Sequence, residues 1–197
     1  TTIKDKAFEN CKHLKQVLFS ENSMLRTIGN SSFSSTSIES IKIPQHVTTI
    51  GNYAFADCLH LNNVSFSDCT KLQTIENYAF SSTIINQISI PSTVREIHYD
   101  WFFKTEKLCM IEISPDNPNY SWVDNTYLLK KSDPSLPNFD VLLFARRNIE
   151  RAIIPSNIKI IEKQCFYHCK NLVSIEFQPN SELCSIGENA FDSSSIE

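Results

Sequence analysis

The sequence has little glycine, with three residues among 197, and no excess of basic residues. Lysine and arginine number 18 against 22 acidic residues, which gives a net charge of −4. Without a basic run or basic face, nucleic acid and anionic membranes are not expected as partners. The longest compact apolar stretch is VLLFA at 141–145, whereas a membrane span needs roughly 20 apolar residues. The chain is therefore predicted to contain no membrane-spanning segment.

Motifs for catalysis are also missing. The sequence contains neither G-x-S-x-G nor a P-loop, and no pair of acids has a spacing that suggests general acid–base work. The segment DNPNYSWVDN at 116–125 lacks the pattern of a calcium-binding loop. These absences favour a protein that is not an enzyme and that carries no cofactor.

What the sequence has instead is internal repetition. A segment such as VTTIGNYAF at 47–55 joins a hydrophobic residue, an isoleucine, a small residue and a phenylalanine at fixed spacing. The spacing of the phenylalanines alternates between 25 and 22 residues, apart from one gap of 64. Chance does not produce this alternation. The repeated phenylalanines are Phe8, Phe33, Phe55, Phe80, Phe102, Phe166 and Phe191.

A second repeated segment lies between these elements and is typical of a β-strand. In LNNVSF at 61–66 the first, fourth and sixth residues are apolar, and β-branched and aromatic residues dominate its counterparts. This pattern predicts a short strand with one buried face. The counterparts are 14–19, 38–43, 85–90, 108–113, 149–154 and 172–177.

Stacked repeats explain how such short elements form a core. One strand and one turn cannot bury an apolar face alone, but neighbouring repeats stacked on each other can. The segment IGNYAFADC at 50–58 is predicted to form a short helical turn opposite the strands, with Ala54 and Phe55 facing inward. We expect residues 1–197 to form a single solenoid. Because the chain starts and stops within a repeat, it is predicted to be a segment of a longer array.

The repeat IPQHVTTIGNYAFADC at 43–58 resembles the BspA-like subclass of leucine-rich repeats, and the resemblance covers essentially the whole chain. It implies an α/β solenoid with one short strand per repeat in a curved parallel sheet and short helical turns on the opposite side. It also implies a binding or adhesion module on the surface of a microbe or protist. The expected location is extracellular or at the cell surface, and the expected partner is a protein or a host surface or matrix component.

The rhythm breaks between Phe102 and Phe166, where residues 114–148 form an insertion. TYLLKK at 126–131 and DVLLFA at 140–145 are predicted to be two strands of a projecting β-hairpin, joined by a loop with two prolines. The preceding NPNY segment strengthens the resemblance, since this family often carries a hairpin after it. The insertion could lie near a binding surface or could merely cover one side of the stack.

Seven cysteines are an odd number, which excludes a fully paired set of intramolecular disulfides. Cys11, Cys58 and Cys169 each follow a repeat phenylalanine by three residues, so packing is their expected role. A catalytic cysteine is not expected. Cys165, His168 and Cys169 have a spacing that could place them on one helical face, but no second pair completes a zinc site, and we predict no metal.

Strand side chains alternate, so residues between the buried ones are predicted to point outward from the concave sheet and to contact a partner. Met110 and Ile153 are apolar exceptions among mostly polar residues, and with Arg151 and Glu112 they form the favoured contact patch. The alternative is a bare face with scattered apolar residues. The predicted partner-binding residues are Gln16, Leu18, Lys42, Asn63, Gln87, Met110, Glu112, Arg151, Ile153 and Glu176.

A second functional class remains open at this point. An intracellular protein-interaction scaffold with the same fold is the alternative to a surface adhesion module, because the odd number of mostly core cysteines favours reducing conditions. The family resemblance favours the cell surface. An enzyme is the third class, and no group of residues supports it.

Overall fold

The computed structural model describes residues 1–98 and 100–196 of the chain. The regular elements of these residues are β-strands, and no helix occurs among them. The chain forms two compact units, residues 1–105 and residues 106–197. Both are built as parallel β-solenoids, in which equivalent strands of successive repeats pair with one another.

Each complete repeat of the first unit contains two strand segments, where the sequence predicted one. Two-residue strands form a five-stranded parallel sheet in the order β1-β2-β4-β6-β8, and the four-residue strands β3 and β5 pair in parallel. The strands are β1 (Thr2–Ile3), β2 (Thr27–Ile28), β3 (Ser40–Ile43), β4 (Thr49–Ile50), β5 (Asn63–Phe66), β6 (Thr74–Ile75), β7 (Gln87–Ile90) and β8 (Glu96–Ile97).

The extra two-residue strands arise from backbone pairing between neighbouring repeats. The N–H of Thr48 donates to the carbonyl of Arg26 at 2.8 Å, and the N–H of Gly51 donates to that of Ile28 at 2.9 Å. The sequence pattern predicted the buried isoleucine correctly. A two-residue strand has no recognisable period of its own, so the pairing itself was not visible in the sequence.

The expectation of helical turns is corrected by the hydrogen bonds of residues 51–58. The N–H of Ala54 donates within the turn, to Gly51 at 3.2 Å, whereas the N–H of Phe55 donates to Ala79 of the next repeat at 2.8 Å. Neighbouring residues continue this alternation, with Tyr53 bonded to Asn77 of the next repeat at 3.0 Å. An α-helix would direct every one of these N–H groups back to its own helix.

Backbone dihedrals give the physical reason for the absence of helix. Tyr53 has a φ of 56° and Asp57 has a φ of 57°, so a left-handed residue interrupts the chain two positions before and two positions after Phe55. Left-handed residues do not continue a right-handed helix. The same two positions are left-handed in all seven repeats, as Lys6, Asn10, Ser31, Ser35, Tyr53, Asp57, Tyr78, Ser82, Asp100, Lys104, Gln164, His168, Asn189 and Ser193.

The core of the first unit is a stack of phenylalanine rings. Ring centroids lie 5.1 Å apart between Phe8 and Phe33, 5.3 Å between Phe33 and Phe55, and 5.5 Å between Phe55 and Phe80. Phe102 continues the stack at 5.6 Å with a tilted ring. The four rings from Phe33 onward are buried, so each repeat contributes one aromatic side chain to a continuous apolar column.

A ladder of polar side chains also crosses the repeats of the first unit. Asp5 accepts hydrogen bonds from the backbone N–H and the side-chain amide of Asn30 at 2.8 and 3.1 Å. Asn30 accepts from the backbone and side chain of Asn52 at the same two distances, and Asn77 donates to Asn52 at 3.2 Å. The sequence carries no distinct signal of this ladder, because asparagine is frequent throughout the chain.

The second unit has eight strands among its described residues. β10, β11, β12, β14 and β16 form one sheet in that order, and β13 pairs with β15 in parallel. The strands are β9 (Met110–Ile113), β10 (Tyr120–Val123), β11 (Tyr127–Lys130), β12 (Val141–Ala145), β13 (Arg151–Ile154), β14 (Ile160–Ile161), β15 (Ser174–Phe177) and β16 (Ser185–Ile186).

The insertion is more closely integrated into the second unit than a projecting hairpin would be. β11 and β12 form the expected antiparallel pair, but β10 adds a third, unpredicted strand beside β11. All five residues of β12 are buried, and β12 pairs in parallel with β14. β12 therefore occupies the place that a two-residue strand has in an ordinary repeat.

Asp140 secures the loop between β11 and β12. Its carboxylate accepts hydrogen bonds from the backbone N–H of Ser132 at 2.7 Å and from the Ser132 hydroxyl at 2.6 Å. Burial alone would raise the pKa of Asp140, but these hydrogen bonds outweigh it and the pKa is lowered. The loop is thus closed by a charged hydrogen-bond acceptor at the start of β12.

Candidate binding surface

Outward-facing side chains of the four-residue strands form the surface that the sequence predicted. In β3 and β7 exposed and buried residues alternate strictly, which leaves Lys42 and Gln87 exposed. Asn63 is exposed at the start of β5. The alternation follows from the pleat of a strand, whose successive side chains point to opposite faces.

Four of the predicted residues lie together in the first unit. Gln16, Leu18, Lys42 and Asn63 line one groove with a cavity volume of about 440 Å³. A parallel bridge between Gln16 and Ser40 brings the first repeat alongside β3. Leu18 is 81% exposed, so this groove combines an accessible leucine with polar groups and with charged groups of both signs, Lys42, Glu21 and Asp68. We call it the strand-face groove.

The remaining predicted residues are distributed differently. Arg151 and Glu176 form an ion pair at 2.6 Å between β13 and β15, which occupies both groups with each other. Ile153 is 45% exposed on the same strand as Arg151. Gln87 does not line the strand-face groove, and it does not line the second cavity, which lies beside β9.

A second cavity lies beside β9 and is lined on its other side by β10. It has a volume of about 530 Å³ and is lined by Met110 and Glu112. The other two residues of the predicted contact patch, Arg151 and Ile153, do not line it. Tyr120, Trp122 and Phe139 of the insertion complete the lining, and sequence reasoning missed them. The aromatic residues of NPNYSW were a visible signal, but only the pairing of β10 with β11 directs them toward β9. We call this cavity the insertion cleft.

Tyr127 supplies a side-chain acceptor to a backbone donor of β13, the strand that pairs with β15. The N–H of Ile153 donates to the phenol oxygen of Tyr127 at 2.9 Å. Tyr127 is buried, which raises the pKa of its phenol to about 12, although the hydrogen bond from Ile153 opposes this rise. A hairpin side chain thus satisfies a backbone donor of β13.

The buried cysteines have the properties of packing residues. Cys58 Sγ donates to the carbonyl of Phe33 at 3.1 Å and lies 3.2 Å from the hydroxyl of Thr36. Thr105 makes the equivalent hydrogen bond to Phe80 at 3.0 Å, so threonine and cysteine are interchangeable at this repeat position. Burial raises the pKa of the Cys58, Cys165 and Cys169 thiols, which disfavours the thiolate that a nucleophile requires.

Arg147 is a buried cation beside Cys165 and Cys169. Its guanidinium donates to the carbonyl of Cys165 at 3.0 Å and lies 4.2 Å from the ring centroid of Phe144. Desolvation by burial lowers the pKa of Arg147. The contacts with a carbonyl and a ring face compensate part of the cost of burying the charge.

His168 contacts a carboxylate, at a position where the sequence spacing suggested a shared helical face with two cysteines. Its Nδ1 lies 2.7 Å from Glu106, which also accepts from Lys170 at 3.0 Å. The hydrogen bond and charge of Lys170, followed by the charge of His168, lower the pKa of Glu106. Within residues 1–98 and 100–196, no three His, Cys, Asp or Glu side chains are grouped as metal ligands. Those residues also contain no helix long and apolar enough to cross a bilayer.

The stacked parallel strands, the repeated phenylalanine core and the outward strand face define a leucine-rich-repeat solenoid. The model of the BspA type leucine rich repeat region matches six times, over residues 1–114 and 137–197. The chain belongs to this family. The part of the insertion from 115 to 136 lies outside the match, as expected for an addition to the repeat.

Comparison with solved structures supports the same fold. The chain is similar to the pneumococcal vaccine antigen PcpA, with a TM-score of 0.89 and 24% identity over 100% of this chain and 47% of that one. It is also similar to a leucine rich cell surface protein from Faecalibacterium prausnitzii, with a TM-score of 0.74 and 26% identity over 96% of this chain and 55% of that one.

A leucine-rich repeat protein from Eubacterium ventriosum gives a TM-score of 0.69 and 26% identity, over 86% of this chain and 49% of that one. This chain thus spans about half the length of the solved structures it resembles. No curated protein sequence matches it.

Proposed function

We propose that the chain is a non-enzymatic binding or adhesion module of a cell-surface or extracellular protein, and that it binds a protein partner through its strand face. The observation that carries the proposal is the strand-face groove, where Gln16, Leu18, Lys42 and Asn63 from successive repeats line one cavity. Leu18, which is 81% exposed, would supply an apolar contact at the centre of a polar rim, the arrangement that protein interfaces use.

The location at the cell surface is supported by likeness. The protein from Faecalibacterium prausnitzii, at 26% identity over nearly the whole chain, is described as a leucine rich cell surface protein. Host surface and matrix components are the partners to test first.

The groove can be tested once a partner has been captured from host surface and matrix fractions on the immobilised chain. The double variant Leu18→Asp, Lys42→Glu is expected to weaken binding of that partner by about tenfold or more, because it replaces an apolar anchor and reverses a charge. Surface plasmon resonance measures the affinity. The fold is checked in parallel by circular dichroism.

A matched control uses an exposed leucine and lysine outside the groove. Leu59 is 62% exposed and Lys12 is exposed, and neither lines the groove. The double variant Leu59→Asp, Lys12→Glu should bind the partner like the wild-type chain. Equal affinities for both double variants would rule out the strand-face groove as the binding site.

An intracellular interaction scaffold is the second candidate function, and the cysteines favour it. Cys58, Cys165 and Cys169 are buried in the core as thiols and not as disulfides. Unpaired thiols are typical of reducing compartments. Labelling intact cells with a membrane-impermeant biotin reagent distinguishes the two: labelling of the full-length protein supports the surface, and protection until lysis supports the scaffold.

A further inference from the structure

The insertion cleft has a lining that differs from that of the strand-face groove. Three aromatic residues, Tyr120, Trp122 and Phe139, lie in one cavity with Glu112, the single charged residue among those that line it. Met110 and Ile113 add apolar side chains from β9. Aromatic rings beside a carboxylate are the combination that recognises organic cations, because the ring faces and the carboxylate both attract positive charge.

The segment that supplies most of the lining of the cleft is negatively charged, like Glu112 itself. Residues 110–129 include Glu112, Asp116 and Asp124 and contain no lysine or arginine. Of the two lysines that follow, Lys130 is paired with Glu162 at 2.8 Å. Lys131 lies 5.5 Å from the ring centroid of Phe139, so the ring of Phe139 already has an ammonium partner within the chain, and a ligand cation would meet Trp122.

We propose that the insertion cleft binds a lysine or arginine side chain of a protein partner. Glu112 would pair with the cationic head, half-buried Trp122 would contact it through its ring face, and Met110 and Ile113 would pack along its aliphatic stem. The proposal rests on the proposed function and deepens it, since it adds a subsite with a defined preference to a protein-binding module. It also gives the insertion a role in recognition.

The experiment uses small probes and the intact chain. Nα-acetyl-lysine N-methylamide and Nα-acetyl-arginine N-methylamide are titrated into labelled protein, with Nα-acetyl-norleucine N-methylamide as the neutral probe of similar shape. NMR follows the indole N–H of Trp122 and the methyl group of Met110. We expect saturable shifts with the cationic probes and at least about fivefold weaker binding of norleucine. Trp101, which does not line the cleft, serves as the internal reference.

Two variants separate the charge from the shape of the cleft. Glu112→Gln keeps the size of the side chain and should reduce the preference for the cationic probes to less than about twofold. Glu150→Gln removes an exposed carboxylate that does not line the cleft, and it should leave the preference unchanged. The preference should also fall as sodium chloride is raised, since the contact is electrostatic.

Three results would overturn the proposal: equal binding of norleucine, an unchanged preference in Glu112→Gln, or no shift of the Trp122 and Met110 signals with any probe. None of them bears on the strand-face groove, which is tested with its own variants and partner. Failure of the cleft proposal is therefore distinguishable from failure of the proposed function.

Discussion

The phenol oxygen of Tyr127 accepts a hydrogen bond from the backbone N–H of Ile153 at 2.9 Å, and this contact connects the insertion to the repeat that follows it. The ring of Tyr127 also packs edge-on against Phe166, at 6.3 Å between centroids. One side chain of β11 thus contacts both the core and the strand face of the second unit. The insertion is consequently a structural part of the solenoid.

Removal of this hydroxyl should destabilise the second unit. Tyr127→Phe leaves the ring in place but deprives the Ile153 N–H of its acceptor, at an expected cost of about 1–2 kcal/mol in the free energy of unfolding. Urea denaturation monitored by circular dichroism gives the value. Tyr53→Phe, at a half-exposed ring, is the control and should change the free energy by less than about 0.5 kcal/mol. Equal effects of the two substitutions would contradict the assigned role of the hydrogen bond.

Tyr127 should also make the protein sensitive to alkali. Burial raises its pKa in the folded state to about 12, above the usual value of about 10 for an unfolded chain. The unfolded chain therefore loses this proton first, and the stabilisation that is complete below pH 10 is lost as the pH rises through about 12. The difference in unfolding free energy between the wild type and Tyr127→Phe should shrink over that range. A constant difference from pH 9 to pH 12 would show that Tyr127 titrates normally.

The phenylalanine stack should dominate the stability of the first unit. Phe55 is fully buried between two other rings, so Phe55→Ala is expected to cost about 3–5 kcal/mol through lost burial and a residual cavity. Phe8 is 39% exposed and touches one ring of the stack, so Phe8→Ala should cost less than half as much. Thermal and urea unfolding of both variants measure the contrast. A larger loss of unfolding free energy in Phe8→Ala than in Phe55→Ala would be incompatible with the phenylalanine stack as the main core.

Gly51 is required by close packing between repeats. A Cβ atom at this position would lie 2.8 Å from the side-chain oxygen of Asn30, 2.9 Å from its backbone nitrogen and 2.9 Å from the carbonyl carbon of Gly29. Gly51→Ala should therefore cost about 1–3 kcal/mol, because backbone atoms must shift. Glu76 occupies the equivalent position of the next repeat and already carries a Cβ, so Glu76→Ala should cost less than about 1 kcal/mol. Urea unfolding of both variants provides the comparison.

The repeat pattern predicted the solenoid, the family and the buried residues of the inner repeats, whereas the equivalent Phe8 and Ile186 of the first and last repeats are 39% and 50% exposed. Phe55 and Ala54 face inward as expected, and the strands alternate between exposed and buried residues. These features depend on periodicity, which is a property of the sequence. The prediction of helical turns was wrong because left-handed residues such as Tyr53 and Asp57 interrupt them. These residues are not glycines, so their left-handed conformation could not be recognised from the sequence.

The candidate binding surfaces were only partly visible. Alternation along each strand predicted that Leu18 and Lys42 would be exposed, and stacking of the repeats places them in one groove. Trp122 and Phe139 of the insertion cleft could not be assigned from the sequence. Their approach to Met110 depends on the antiparallel pairing of β10 with β11 and on a loop closed by Asp140.

The sequence by itself determined the repeat length, the family and the ring that each repeat contributes to the core, because a stacked fold requires the same residue at the same place in every repeat. Only the tertiary structure decided how the unrepeated residues are used. The insertion occurs once in the chain, so no repeated segment shows which of its residues are buried or exposed. Strand pairing and burial alone bring Tyr127 to Ile153 and the aromatic residues to Glu112.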